Sequence, residues 1–254
     1  MQLKLSISIL TKLSLSICQI AVFNKKKESI SINDEERFDL ETNYRIAYDK
    51  GWDDLRLKTP TDIASFMDIT YIDDKQQFVV PFLNENYIVD CNTQSIYSKA
   101  DGTIPGISAS ILILHYLTFF QTKAEPANKW VSLKEIPNGG MLFYPAFYKA
   151  SIVGLTKAFG HQPELLLNCA KQIGGQPARF GDASAVFQAF PKIPLCVIIW
   201  QGDEEIAANA TVLFDPSIEH FLHIESVIGL GGFLAGKLIK LAAPADRPSH
   251  DMSN

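Results

Sequence analysis

Residues 181–215, GDASAVFQAFPKIPLCVIIWQGDEEIAANATVLFD, constrain the fold of this chain more than any other stretch. Apolar runs at 185–190, 195–200 and 210–214 are each of strand length and rich in β-branched or aromatic residues. The first gap holds Pro191, Lys192, Ile193 and Pro194, and the second holds Gly202, Asp203, Glu204 and Glu205. Turn formers between strand-length runs describe an antiparallel meander. The middle run is apolar almost without a break, as a central strand covered on both faces requires.

The rest of the chain reads as an alternation of helices and short strands. Thr42 is placed to cap a helix whose Tyr44, Ala47, Tyr48, Trp52 and Leu55 paint one apolar face. A shorter helix starts at Pro60 and runs through Phe66. Strand signals follow at 69–72, 77–83 and 87–91, punctuated by Asp73–Asp74 and Asn84–Glu85–Asn86, and give a small antiparallel sheet. Residues 105–121 read as a buried helix, and further helices are expected at 146–159, 163–173 and 224–241. The fold class is therefore α+β: a small N-terminal antiparallel sheet and a C-terminal three-stranded antiparallel meander, flanked by helices. We expect one globular domain over 42–241, a weakly structured N-terminal extension over 1–41, and a disordered tail over 242–254. The first 27 residues alternate like a strand, and Lys12 interrupts any apolar span, so no membrane span is expected and only a weak signal-peptide pattern is present.

Composition narrows the function classes. With 47% hydrophobic and 20% charged residues over 254 positions, a core of ordinary size is available. A net charge of -5 and the lack of a basic stripe with interleaved aromatics argue against nucleic acid as a partner. Cys18, Cys91, Cys169 and Cys196 are scattered, which excludes a local zinc knuckle or iron–sulfur motif and suits reduced thiols in a cytoplasmic protein. None of the nucleophile-elbow, P-loop, zincin or dinucleotide-binding motifs stands in its required context.

Three polar features and one glycine pair remain as site candidates, each with a structural alternative. Asp203, Glu204 and Glu205 crowd three carboxylates at the end of the central run, enough to attract a hard cation or simply to end a strand in solvent; Asp182 is positioned to approach the same end. His220 and His223 form an H-x-x-H pair which, on a helix, would share a face, with Glu219 or Asp215 as an added oxygen ligand. Asp203, Glu204, His220 and His223 thus make the candidate divalent-metal set. His115 lies within ILILHYLTFF, where an imidazole must be satisfied by a neighbour, a water or a metal centre such as that of a tetrapyrrole. Gly139 and Gly140 precede Phe143 and Tyr144, and let the backbone pass close to packed chain or to a ligand.

The meander, together with ILILHYL at 111–117 and KWVSLKEIPNGGMLFYPAF at 129–147, resembles the prokaryotic domain-of-unknown-function family numbered 3786 over about residues 43–240. That family is found largely in anaerobes and is sometimes attached to a four-iron ferredoxin-like domain. The resemblance implies a setting in redox or corrinoid metabolism and a redox or corrinoid protein as partner, although this chain lacks the cysteines to hold a cluster itself. Two functions are carried forward. The first is a non-catalytic accessory protein binding corrinoid or haem through Gly139, Gly140, Phe143 and Tyr144 with His115 or His220. The second is a metal-dependent hydrolase or transferase using the Asp/Glu/His set.

Overall fold

The computed structural model describes residues 34–120 and 123–243. The alternating N-terminal segment, Cys18 and the tail beyond 243 lie outside the described residues. Helix α1 (Asp34–Arg56) is followed by α2 (Pro60–Met67) and a four-stranded antiparallel sheet in the order β1 (Thr70–Ile72), β2 (Gln77–Phe82), β3 (Glu85–Asp90), β4 (Ser95–Ser98). Helix α3 (Ile107–Thr118) crosses to the second half of the chain. There β5 (Val131–Ser132), α4 (Gly140–Phe147), a π-helical turn at Tyr148–Ile152, α5 (Val153–Phe159) and α6 (Glu164–Gln172) precede β6 (Gln176–Pro177). The meander follows as β7 (Ala183–Phe190), β8 (Ile193–Trp200) and β9 (Asn209–Phe214), and α7 (Ile224–Ala242) closes the fold.

The chain is α+β, with the meander at the centre of the second sheet. That sheet has five strands, ordered β5-β9-β8-β7-β6, because two-residue edge strands extend the three expected. Segments of two residues leave no alternation to read. Strand β8 is buried at Leu195, Cys196, Val197, Ile198 and Ile199 in succession, as its unbroken apolar run requires, whereas β9 buries only alternate residues, Ala210, Val212 and Phe214. Helix α1 begins upstream of Thr42: residues 34–41 are mostly charged but free of Gly and Pro, so nothing in them stops a helix. The aromatic run at 141–147 is likewise helical from Gly140, and Pro145 is tolerated inside α4 near the π-helical turn.

The two sheets meet at one joint. The pairing of β7 with β8 shifts register between Gln188 and Phe190, leaving Ala189 out of the ladder. Its carbonyl accepts instead from Leu83 N at 2.9 Å, in the β2–β3 turn. Around this bond the rings of Tyr116 and Phe190 stack at 4.2 Å, Phe190 and Phe82 at 4.7 Å, and Phe82 and Phe233 lie at 5.2 Å. The Tyr116 hydroxyl donates to Met67 O at 2.8 Å, so α3 is tied to α2 as well.

Helix α3 is buried at nearly every position and packs against α1 and α7. The crossing with α1 is close at Gly51, where a Cβ would stand 2.9 Å from Leu114 Cβ. We therefore expect Gly51→Val to lower stability by about 1–3 kcal/mol in urea unfolding, through overpacking against Leu114. In Gly51→Val/Leu114→Ala the two costs should fall short of additive, and additivity would show that the contact is not close.

Candidate functional site

The polar residues singled out in the sequence divide between two ends of the second sheet. Asp203 and Glu204 lie in the β8–β9 connection, while His220 and His223 follow β9 at its other end. Strand β9 alone spans roughly 17 Å, so the four do not assemble into one metal centre. Among the described residues no group of three or more His, Cys, Asp or Glu is placed to hold a metal ion.

The acidic connection is held by its own backbone. Asp203 Oδ1 accepts from Glu205 N at 2.8 Å and from Ile206 N at 2.7 Å, and these bonds, that from Ile206 foremost, hold its carboxyl below the usual range. Asp182 does reach this end, where its Oδ2 accepts from Gln201 N at 2.7 Å. Asp203 thus builds its own turn, whereas Asp182 ties the start of β7 to the end of β8.

The H-x-x-H pair is not on one helix. Asp215 accepts from Ser217 N and starts a short 3-10 turn at Pro216–His220, after which Phe221 and Leu222 are buried before α7 begins. His220 therefore ends one element and His223 caps the next. The His220 ring has no hydrogen-bond, ion-pair or ring partner among the described residues. Asp215, offered as a metal ligand, is 2% exposed and is already committed: its carboxylate accepts from Ser217, Ala127 and Lys129 N–H groups. Burial pushes its carboxyl up, but these bonds outweigh burial and hold it low.

His115 and His223 do come together, at the first turn of α7. His115 Nδ1 lies 2.7 Å from Ser226 Oγ, a hydroxyl buried in that turn. His223 packs at a tilt against Phe119 with 3.7 Å between ring centres, and Phe119 is one helical turn beyond His115. Burial, then the neighbouring His223, pushes the His115 imidazole down to about 4, against a smaller upward pull from Asp54. Burial also lowers His223. Lys50 and Asp54, an i,i+4 ion pair on α1, complete the charged surroundings of both rings. His115 Nε2 makes no hydrogen bond among the described residues, and the residue as a whole is half-buried.

The glycine pair adjoins this cluster but serves packing. A Cβ on Gly140 would stand 1.9 Å from Leu133 O, and one on Gly139, whose φ is +129°, would stand 2.9 Å from the Phe143 ring and 3.8 Å from Ile224 Cγ2. Protein, not ligand, fills the space a side chain would take, and Gly139 thereby abuts both Phe143 and Ile224, the residue next to His223. Tyr144 is half-buried with Lys134 Nζ 4.2 Å above its ring.

Sequence reasoning missed Ser226 and Glu225. Ser226 matters only through a contact with a residue 111 positions away. Glu225 sits in the same turn, and burial raises its carboxyl to about 6. Among the described cysteines, Cys91, Cys169 and Cys196 are free, each with its thiol pushed up by burial.

The model of the family described as Domain of unknown function (DUF3786) matches residues 59–237. The chain belongs to that family. No curated protein and no solved structure matches it. The matched span takes in His115, the glycine pair, the meander and most of α7. Among the described residues no helix is long and apolar enough to cross a membrane.

His115 and Glu225 set opposite pH dependences. The lowered imidazole contributes stability that is complete above 6.5 and is lost as pH falls towards about 4, because only the unfolded chain takes up the proton in that window. The raised carboxyl contributes stability that is complete below 4.5 and is lost as pH rises through about 6. In urea unfolding across pH 4.5 to 6, Glu225→Gln should make stability climb more steeply with pH than in the wild type, and His115→Gln should flatten or reverse the climb. Two variants that track the wild type would show that neither group titrates as its burial implies.

Proposed function

We propose that this chain is a cytoplasmic, non-catalytic accessory protein of anaerobic metabolism that binds a corrinoid or haem cofactor at His115 and serves a redox or corrinoid protein partner. The observation that carries this reading is the 2.7 Å contact between His115 Nδ1 and Ser226 Oγ on a ring that stays neutral down to about pH 4. With Nδ1–H donating to the hydroxyl, the tautomer is fixed and the Nε2 lone pair is left for a metal; a ligating histidine usually has such a supporting partner. His115 would hold such a group through Nε2, and the metal would supply one-electron or group-carrier chemistry. Ser226 orients the ring, Phe119 and His223 wall one side, and Phe143 with Ile224 adds apolar surface beside the same turn. His220 and the two glycines take no part in this version of the site. The separation of Asp203 and Glu204 from His220 and His223 leaves the metal-dependent hydrolase or transferase reading without a supporting observation.

Titration with aquocobalamin and with haem, followed by absorbance, tests the proposal. A band shift is expected with the wild type and none with His115→Ala, and Ser226→Ala should weaken binding by about 10–100-fold. Circular dichroism of each variant separates a lost ligand from a lost fold. Identical spectra for wild type and a folded His115→Ala would end the cofactor reading.

A further inference from the structure

Helix α4 departs from the pattern of a surface helix, because it is apolar on its outer side as well as its inner one. Gly140 and Phe147 are buried against the core, while the opposite arc exposes Met141, Leu142, Pro145 and Ala146. That arc runs on into the π-helical turn through Tyr148 and Lys149, both exposed. At helical spacing these six residues share one side, and only Lys149 among them carries a charge. Met141 is 66% exposed and Leu142 77%, so both stand clear of the core.

Two cations flank this face, and the nearest carboxylate in sequence is engaged elsewhere. Lys149 lies within the face. Lys134, exposed in the neighbouring 3-10 turn, holds its ammonium 4.2 Å from the centre of the Tyr144 ring, and that ring lies 6.1 Å from the ring of Tyr148. Glu135 closes its own turn, its Oε2 accepting from Ser132 N at 2.8 Å. Over residues 136–163 the sequence has no Asp or Glu, in a chain whose net charge is -5. An apolar face with a basic rim complements a layer that is anionic outside and apolar within. Tyrosines favour the boundary of such a layer, and lysines lay their stems along apolar surface while keeping the ammonium at its polar edge. Six side chains of one short stretch fall well short of the roughly 20–30 residues a side that a stable protein interface uses, whereas a membrane surface is held by a few inserted side chains and a few cations.

We propose that this face docks the protein on an anionic lipid bilayer, with Met141, Leu142 and Tyr148 inserted at the boundary between headgroups and acyl chains and with Lys134 and Lys149 on the lipid phosphates. The inner side of α4 stays in the core through Phe147, so the helix lies along the bilayer and not across it. The contact needs neither His115 nor a metal and is therefore independent of the cofactor reading.

Flotation of the full chain with lipid vesicles tests this. The wild type is expected to rise with vesicles of equal parts phosphatidylglycerol and phosphatidylcholine at low salt, and to bind phosphatidylcholine alone at least about tenfold more weakly. Met141→Ser/Leu142→Ser should weaken binding to the anionic vesicles by about tenfold or more, and Lys134→Gln/Lys149→Gln by about 30-fold, at roughly fivefold per lysine. Leu57→Ser, at a side chain 82% exposed in the α1–α2 connection, should leave binding unchanged. Every substituted side chain is exposed, and circular dichroism checks that each variant is folded. Light scattering without lipid separates the other occupants. A dimer that Leu142→Ser dissociates would make the face a contact between two copies, and a monomer that does not float would leave it to a protein partner or to residues 1–33. Either result overturns the proposal, and so does flotation that the Met141→Ser/Leu142→Ser and Lys134→Gln/Lys149→Gln variants retain in full.

Discussion

The fold depends on the joint where the two sheets touch. The register shift in β7 frees the Ala189 carbonyl, and Leu83 N donates to it from a turn in which Leu83 itself sits at φ +54°. A left-handed conformation is costly for a branched side chain, by roughly 1–3 kcal/mol, and persists only where the surroundings over-determine it. Here they do: Phe82 precedes the strained residue, and the stack from Tyr116 through Phe190 and Phe82 to Phe233 locks both hairpins to α3 and α7. Each such ring pair adds about 0.5–1.5 kcal/mol beyond its buried area. A bulge in one hairpin and a strained turn in the other are thus two halves of one device.

That device also fixes the candidate cofactor site. Tyr116 belongs to the stack and His115 is its neighbour on α3, so the imidazole leaves the same helix on a different flank, towards the first turn of α7. Because α7 is anchored through Phe233, the 2.7 Å contact with Ser226 joins two elements already held rigid by the core. Burial discourages charge on the ring, and the neighbouring His223 discourages it further. The adjoining Glu225 is pushed towards its own neutral form, so the turn favours uncharged side chains of both kinds.

What could be read from the residues alone follows their range of interaction. The meander, the buried α3 and the apolar face of α1 declared themselves, because each is a periodic pattern within a single element. The short strands β4, β5 and β6 did not, since they exist only by pairing with longer neighbours. Among the site residues, His115 stood out through its apolar context, whereas Ser226 and Glu225 looked like ordinary helix-start residues. Spacing misled at His220 and His223, because Asp215 and Pro216 start a separate turn that the H-x-x-H pattern cannot reveal. Asp203 was ambiguous for a related reason: a carboxylate that accepts from the backbone two and three residues on looks, in sequence, like one that awaits a cation.

The two-residue edges of the second sheet have a further consequence. Long strands β7 and β9 would each offer a row of open backbone groups to a passing chain, but β6 and β5 lie against them and then stop. Pro177 in β6 has no N–H to give, and beyond it Ala178 N and Phe180 N turn back onto Ser184. On the β5 side the chain leaves the ladder at once for a 3-10 turn closed by Ser132 and Glu135. Each flank is therefore sealed by a stub too short to template another copy, which protects an apolar three-strand centre from sticking to its own kind during folding.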